Sequence, residues 1–228
     1  MAARILVVTA VPQERQAIAA RLGGTRTDRS GRYPRWLAEV GAGEVAVTSC
    51  GVGAAAAAAG TAIMLSQGAY DLAVCAGIGG AFGTRAAVGG VVVADRIVHA
   101  DLGAESPSGF LGLQELGFGE TEHTLPADLV AVAALRTGAV VGPVLTVSTV
   151  TGTPGRAALL AGRHAAVAEA MEGAGVYAAC RPNEVPMLEI RGISNLVGRR
   201  DLSKWNIPGA LTALGDALAA LLAEELPL

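Results

Sequence analysis

Apolar runs that do not alternate with polar residues recur along this chain, and stretches of helical spacing lie between them. Arg4–Thr9, Leu72–Cys75 and Val140–Val147 carry aliphatic residues on both parities. A strand with one wet face alternates, whereas a strand covered on both faces reads as a continuous apolar run. Further strands are predicted at Arg35–Val40, Glu44–Ser49, Gly90–His99, Ala165–Ala170 and Val185–Ser194. Helical patterns occupy Pro12–Arg21, Ala54–Gln67, Ala127–Arg136, Gly155–Gly162, Glu172–Arg181 and Ile207–Glu225. Pro12 and Pro208 each sit near a helix start, where a missing N–H is tolerated. This alternation predicts a single α/β domain over residues 1–228, with three α/β/α layers and a mixed, mostly parallel central sheet.

Residues 45–70 hold no charged side chain, which raises the question of a membrane span. Gly51, Gly53, Gly60, Ser66, Gln67 and Gly68 interrupt the stretch, which divides into a strand, a glycine turn and an alanine-rich helix. Hydrophobic residues make up 52% of the chain and aromatics 4%, so the core is built from Ala, Val, Leu and Ile. A net charge of −3 with no basic stretch argues against a nucleic-acid surface and favours a small-molecule partner. Cys50, Cys75 and Cys180 are widely spaced and form no C-x-x-C pair, as expected of buried free thiols in a reducing compartment. The Ile5–Val11 run is too short for a secretory signal core. A cytoplasmic protein is expected.

Segment Asp101–Thr124 is rich in glycine and lacks clear periodicity. A loop of that length serves either a substrate site or a subunit contact.

Ligands of open α/β sheets bind outside the carboxyl ends of the strands, so polar residues at those ends carry the functional question. Glu14 follows the first strand; it is either a helix-start carboxylate complementing the dipole or a general base for water. Cys75-Ala76-Gly77-Ile78-Gly79-Gly80-Ala81-Phe82 follows the fourth strand, and its glycines allow a ligand to approach the backbone. It is not a dinucleotide fingerprint. Glu172 opens the helix after Ala165–Ala170, and its two oxygens suit a pair of sugar hydroxyls. Met171 beside it offers an apolar wall, or simply core packing. Asn195 ends the long strand from Val185; it either forms a turn or presents an acceptor and a donor matching N7–H and O6 of a 6-oxopurine. An aspartate there would suit a 6-aminopurine. Arg191, an even number of residues upstream, falls on the same strand face by parity and would fix the local charge. His99, His123 and His164 lack metal-ligand spacing, so no metal and no organic cofactor are expected. A G-x-S-x-G elbow and a Walker A loop are absent.

Taken together these residues resemble the purine nucleoside phosphorylase/hydrolase superfamily and its nucleosidase branch, over about residues 4 to 226. The post-strand glutamate of methylthioadenosine/S-adenosylhomocysteine nucleosidases matches Glu14, and their glycine turn matches Gly77–Phe82. Their M-E-[GA] motif matches Met171-Glu172-Gly173. Their R-x-I-S-D matches Arg191-Gly192-Ile193-Ser194-Asn195, with Asn195 in place of the aspartate. That change shifts the implied base from adenine to hypoxanthine. Val7–Arg15, Cys75–Phe82, Met171–Tyr177 and Arg191–Trp205 are most similar to the futalosine hydrolase branch, which acts in the alternative menaquinone pathway. The resemblance implies Glu14, Asn195 and Arg191 in catalysis, and Ile78, Gly79, Gly80, Met171, Glu172 and Trp205 against the substrate. Trp205 aligns with an aromatic that covers the ligand, the alternative being a core tryptophan. No aromatic in Ser148–Thr153 corresponds to the relatives' base-stacking phenylalanine. Phosphorolysis needs a basic cradle; Arg15 is present but Val74 and Cys75 bring no basic residue, which favours hydrolysis. An inosine phosphorylase, a methylthioadenosine-type nucleosidase and a nucleoside-binding sensor are the alternatives. A homodimer or higher homo-oligomer is implied by the resemblance.

Overall fold

The computed structural model describes residues 2–23, 26–29 and 31–228. The chain opens with β1 (Ala3–Thr9), α1 (Pro12–Leu22), β2 (Arg26–Asp28), β3 (Arg35–Val40) and β4 (Gly43–Ser49). Helix α2 (Ala54–Gln67) leads to β5 (Leu72–Ala81) and β6 (Val91–His99). A small hairpin of β7 (Gly103–Ser106) and β8 (Gly109–Gly112) precedes α3 (Leu113–Leu116) and β9 (Glu122–Thr124). Then come α4 (Ala127–Thr137), β10 (Val140–Thr146), α5 (Pro154–His164) and β11 (Ala168–Ala170). The chain ends with α6 (Gly173–Cys180), β12 (Met187–Leu196) and α7 (Ile207–Leu222).

Ten strands form one mixed sheet in the order β11-β10-β6-β12-β5-β1-β4-β3-β2, with β9 added on β6. The pairs β1–β4, β1–β5, β5–β12, β6–β10 and β10–β11 are parallel. Strand β11 also pairs antiparallel with β5, Ala168 opposite Ala81 and Glu169 opposite Gly80. That contact closes β5, β12, β6, β10 and β11 into a ring at one end of the sheet.

Burial explains the unbroken apolar runs. Ile5, Leu6, Val7 and Val8 are successive residues of β1 and all are buried, so both faces are covered. Helices α1, α4 and α7 pack together, as do α2 and α6. They occupy opposite faces: Gly192 lies against Ala210 and Leu214 of α7, while Glu189, an odd number of residues upstream on β12, lies against Gly173 of α6. This is the expected α/β/α arrangement. No helix among the described residues is long and apolar enough to cross a membrane.

Several elements differ from expectation, among them β2 (Arg26–Asp28), which no apolar run announces. Strand β5 does not stop at Cys75 but runs through the glycines to Ala81, so Gly77, Gly79 and Gly80 are strand residues and not a turn. Their apolar neighbours pair along β12, and glycine inside a strand marks a place where another group approaches closely. Strand β11 is shorter than Ala165–Ala170 because α5 runs on to His164 and Ala165 caps it in the left-handed region, at φ 51°. Segment 101–124 contains β7, β8, α3 and β9, local structure held by glycine turns that short-range periodicity does not reveal.

Candidate active site

Glu14 stands in the first turn of α1 with its side chain buried. Its Oε2 accepts from the backbone N–H of Ala10 at 2.9 Å and of Val11 at 3.1 Å. Its Oε1 accepts from Ile78 N at 2.9 Å, across from β5. The helix-start bonds are therefore real, and the third bond ties the carboxylate to the central strand β5. Burial raises the Glu14 pKa above the ordinary carboxylate value, against the Ile78 N–H, the Arg191 charge and the Val11 N–H, which hold it down.

Glu172 is the N-cap residue of α6 and is buried. Its Oε1 accepts from Gly53 N at 3.1 Å. Its Oε2 accepts from Met171 N at 3.3 Å and from Arg191 Nη1 at 3.1 Å. Arg191 is fully buried beneath these groups. Its Nε and Nη2 both lie 2.9 Å from Glu189 Oε1, and Nη2 reaches Cys75 Sγ at 3.1 Å. Burial raises both the Glu189 carboxyl and the Cys75 thiol, so the sulfur accepts as a neutral thiol. A Cβ on Gly77 would lie 2.6 Å from Arg191 Nη1 and 2.7 Å from Glu14 Oε1. Only glycine lets the guanidinium and the Glu14 carboxylate meet over this strand.

The parity argument that put Arg191 and Asn195 on one face does not hold. The register of β12 against β5 slips between Ile193 and Asn195, so that Arg191 pairs with Gly77 and Asn195 with Gly80, an odd step along β5. Asn195 is brought to the cavity while Arg191 stays below it. Asn195 Nδ2 donates to Leu196 O at 3.0 Å, and Asn195 Oδ1 accepts from Ser194 Oγ at 2.7 Å. A carbonyl only accepts, so the Leu196 contact fixes which end of the amide is nitrogen. Each end then keeps one free position, an acceptor lone pair on Oδ1 and a proton on Nδ2.

These groups line a cavity of about 360 Å³, within the range of small-molecule sites. Glu14, Ile78, Gly79, Gly80, Met171, Glu172, Asn195 and Trp205 all contribute to its wall. Of the expected site residues only Arg191 is absent from the lining; its role is to hold Glu172 from behind. Trp205 is half-buried at the wall, with the Arg200 guanidinium 5.2 Å from its ring centre, so it is not a core tryptophan. Val150 stands in the segment where a stacking aromatic is missing. No residue of 101–124 lines the cavity. Among the described residues no group of His, Cys, Asp and Glu is arranged to hold a metal ion.

Sequence reading missed Glu169. It lies in β11 inside a short apolar run, lines the cavity, and is buried. Its Oε1 accepts from Thr151 N at 2.8 Å and its Oε2 accepts from Thr151 Oγ1. Burial raises its pKa, opposed by those two bonds. A charged residue in an otherwise apolar strand was the available signal.

Comparison with known proteins places this geometry. The model of the Phosphorylase superfamily matches residues 4–224. Futalosine hydrolase from Streptomyces coelicolor is 50% identical, over 95% of this chain and 94% of its own. This chain belongs to the futalosine hydrolase family of that superfamily. A second family member, futalosine hydrolase from Acidothermus cellulolyticus, is 43% identical over 97% of this chain and 91% of its own. The native structure of futalosine hydrolase from Helicobacter pylori superposes with a TM-score of 0.83 over 97% of both chains. At 18% identity that likeness speaks for the fold alone.

Proposed function

We propose that this protein hydrolyses the N-glycosidic bond of futalosine, releasing hypoxanthine and dehypoxanthine futalosine, and so serves the alternative menaquinone pathway. The observation that carries the reading is family membership at 50% identity over nearly the whole chain. An amide, Asn195, at the base end of the cavity agrees with it.

The free lone pair of Asn195 Oδ1 accepts from N7–H once solvent has protonated the departing base there, and the free proton of Nδ2 bonds O6. Glu172, held by Arg191, accepts from the ribose hydroxyls and sets its charge near the anomeric carbon as positive charge develops. Glu14 takes a proton from the attacking water; the raised pKa makes it a stronger base than a free glutamate. General-base help of this kind contributes roughly 10²–10⁴-fold, with positioned charge adding a comparable factor. Hydrolysis is favoured over phosphorolysis because Arg191 is committed to Glu172 and Glu189, and Arg15 is not part of the cavity lining. A cytoplasmic homodimer or higher homo-oligomer belongs to the same reading, and light scattering on the purified protein checks the assembly.

The test is to incubate the protein with futalosine, inosine and methylthioadenosine, with and without phosphate, and to identify the released base. Phosphate-independent release of hypoxanthine from futalosine is expected. Phosphate dependence with formation of a sugar 1-phosphate, adenine release alone, or binding without release would overturn the reading.

A further inference from the structure

The sheet places Glu169 and Asn195 on either side of one residue. Gly80 of β5 pairs with Glu169 of β11 on one edge and with Asn195 of β12 on the other. Directly paired residues project to the same face of a sheet, and two strand spacings separate the outer pair by about 10 Å. The residue between them is glycine, and its missing side chain makes room for Val197, whose Cγ2 would lie 2.9 Å from a Cβ there, with Asn195 Nδ2 at 3.0 Å. Both outer residues line the cavity. The row Glu169–Gly80–Asn195 therefore carries a polar group at each end, with the apolar Val197 side chain packed over its middle.

The chemistry of the two ends is different. Asn195 offers one acceptor and one donor. Glu169 is bound only by donors, the N–H and hydroxyl of Thr151, each taking one position on a separate oxygen. A carboxylate oxygen has room for a second donor, so this end asks its ligand for an N–H. Hypoxanthine has one such group besides N7–H, at N1, next to O6. Adenine has a lone pair at N1, which a carboxylate repels. Thr151 N–H, the backbone donor nearest to Glu169, is already taken and is not free to serve an adenine-type N1.

We propose that Glu169, held by Thr151, accepts N1–H of the purine and is the second base-selecting residue of the site. The proposal rests on the hypoxanthine reading above and extends it: Asn195 reads the N7/O6 edge and Glu169 the N1 edge. The burial that raises the Glu169 pKa also strengthens a hydrogen bond made to its ionised form.

The test measures inhibition constants of hypoxanthine, 1-methylhypoxanthine and adenine against futalosine hydrolysis, for the unmodified protein and for Glu169→Gln. A hydrogen bond to a charged group is worth roughly 10- to 150-fold in binding. The unmodified protein is expected to bind 1-methylhypoxanthine at least about tenfold more weakly than hypoxanthine. Glu169→Gln is expected to weaken hypoxanthine by about that factor and leave adenine unchanged or tighter, since its amide can donate to N1. A purely structural role would weaken both bases together. An unchanged hypoxanthine-to-adenine ratio overturns the proposal. If the variant fails to fold, equal binding of hypoxanthine and 1-methylhypoxanthine by the unmodified protein overturns it as well. Absence of hypoxanthine release from futalosine would instead remove the functional reading on which it stands.

Discussion

Replacing Arg191 with Met removes the guanidinium and keeps most of the side chain's apolar length. In the native protein that guanidinium holds two buried carboxylates, Glu172 at 3.1 Å and Glu189 at 2.9 Å. Glu172 retains its backbone donors, but Glu189 loses its partner altogether, because its Oε2 has none. Leaving one partner of a buried pair uncompensated costs about 3–5 kcal/mol. For a domain of this length a kcal/mol is worth about 2–4 °C, so the expected fall in Tm is about 6–20 °C. The pH dependence identifies the cause. Glu189 in the folded protein has a pKa raised above the unfolded value by burial, and losing Arg191 raises it further. The folded state then binds the extra proton, so its stability is retained below the unfolded pKa and declines as pH rises through the folded one. Differential scanning calorimetry of Arg191→Met should show a deficit that is small at pH 5 and full at pH 8. Adding Glu189→Leu should recover part of the loss at pH 8. A Tm within about 2 °C of the native protein at pH 8, or a deficit equal at both pH values, would refute the reasoning.

Glu14→Gln should lower kcat by roughly 10²–10⁴-fold while leaving hypoxanthine binding nearly unchanged; near-normal turnover would exclude it as the base. Because Glu14 must be ionised to accept a proton and burial raises its pKa, kcat/KM should fall as pH drops through a value above the ordinary glutamate range. An acid limb at or below that range contradicts this. Asn195→Asp should shift the kcat/KM ratio toward adenine nucleosides, measured on methylthioadenosine against futalosine. Gly77→Ala places a carbon within 2.7 Å of both Arg191 and Glu14 and should cut kcat/KM at least about tenfold, a loss of 1.4 kcal/mol or more; unchanged kinetics would mean that the contact at Gly77 does not matter.

Much of this was legible beforehand because burial leaves a direct mark on sequence. The unbroken run of β1 could only be a strand covered on both faces, and Glu14, Glu172 and Asn195 were readable as polar groups at strand ends, with the apolar Met171 beside Glu172. What failed had long-range causes. The glycines after Cys75 read as a turn because nothing local says that Glu14 and Arg191, distant in sequence, come together over Gly77. The bulge in β12 is invisible in Arg191–Asn195 itself, and without it parity gives the wrong face. Glu169 was passed over for a related reason. Its importance comes from the antiparallel contact with β5, a closure that no run of residues around it foretells.

That closure has a consequence for how the substrate range of such a chain can change. Glu169, Gly80 and Asn195 are fixed by main-chain ladders on three neighbouring strands, so that end of the cavity is as stiff as the sheet itself. The wall that continues from Asn195 is built differently: residues 198–206, carrying Arg199, Arg200 and Trp205, form bends and a single 3-10 turn. Substitutions along that segment can reshape its side of the cavity while the ladders hold the three strand positions in place. The two sides of the cavity are thus free to change separately.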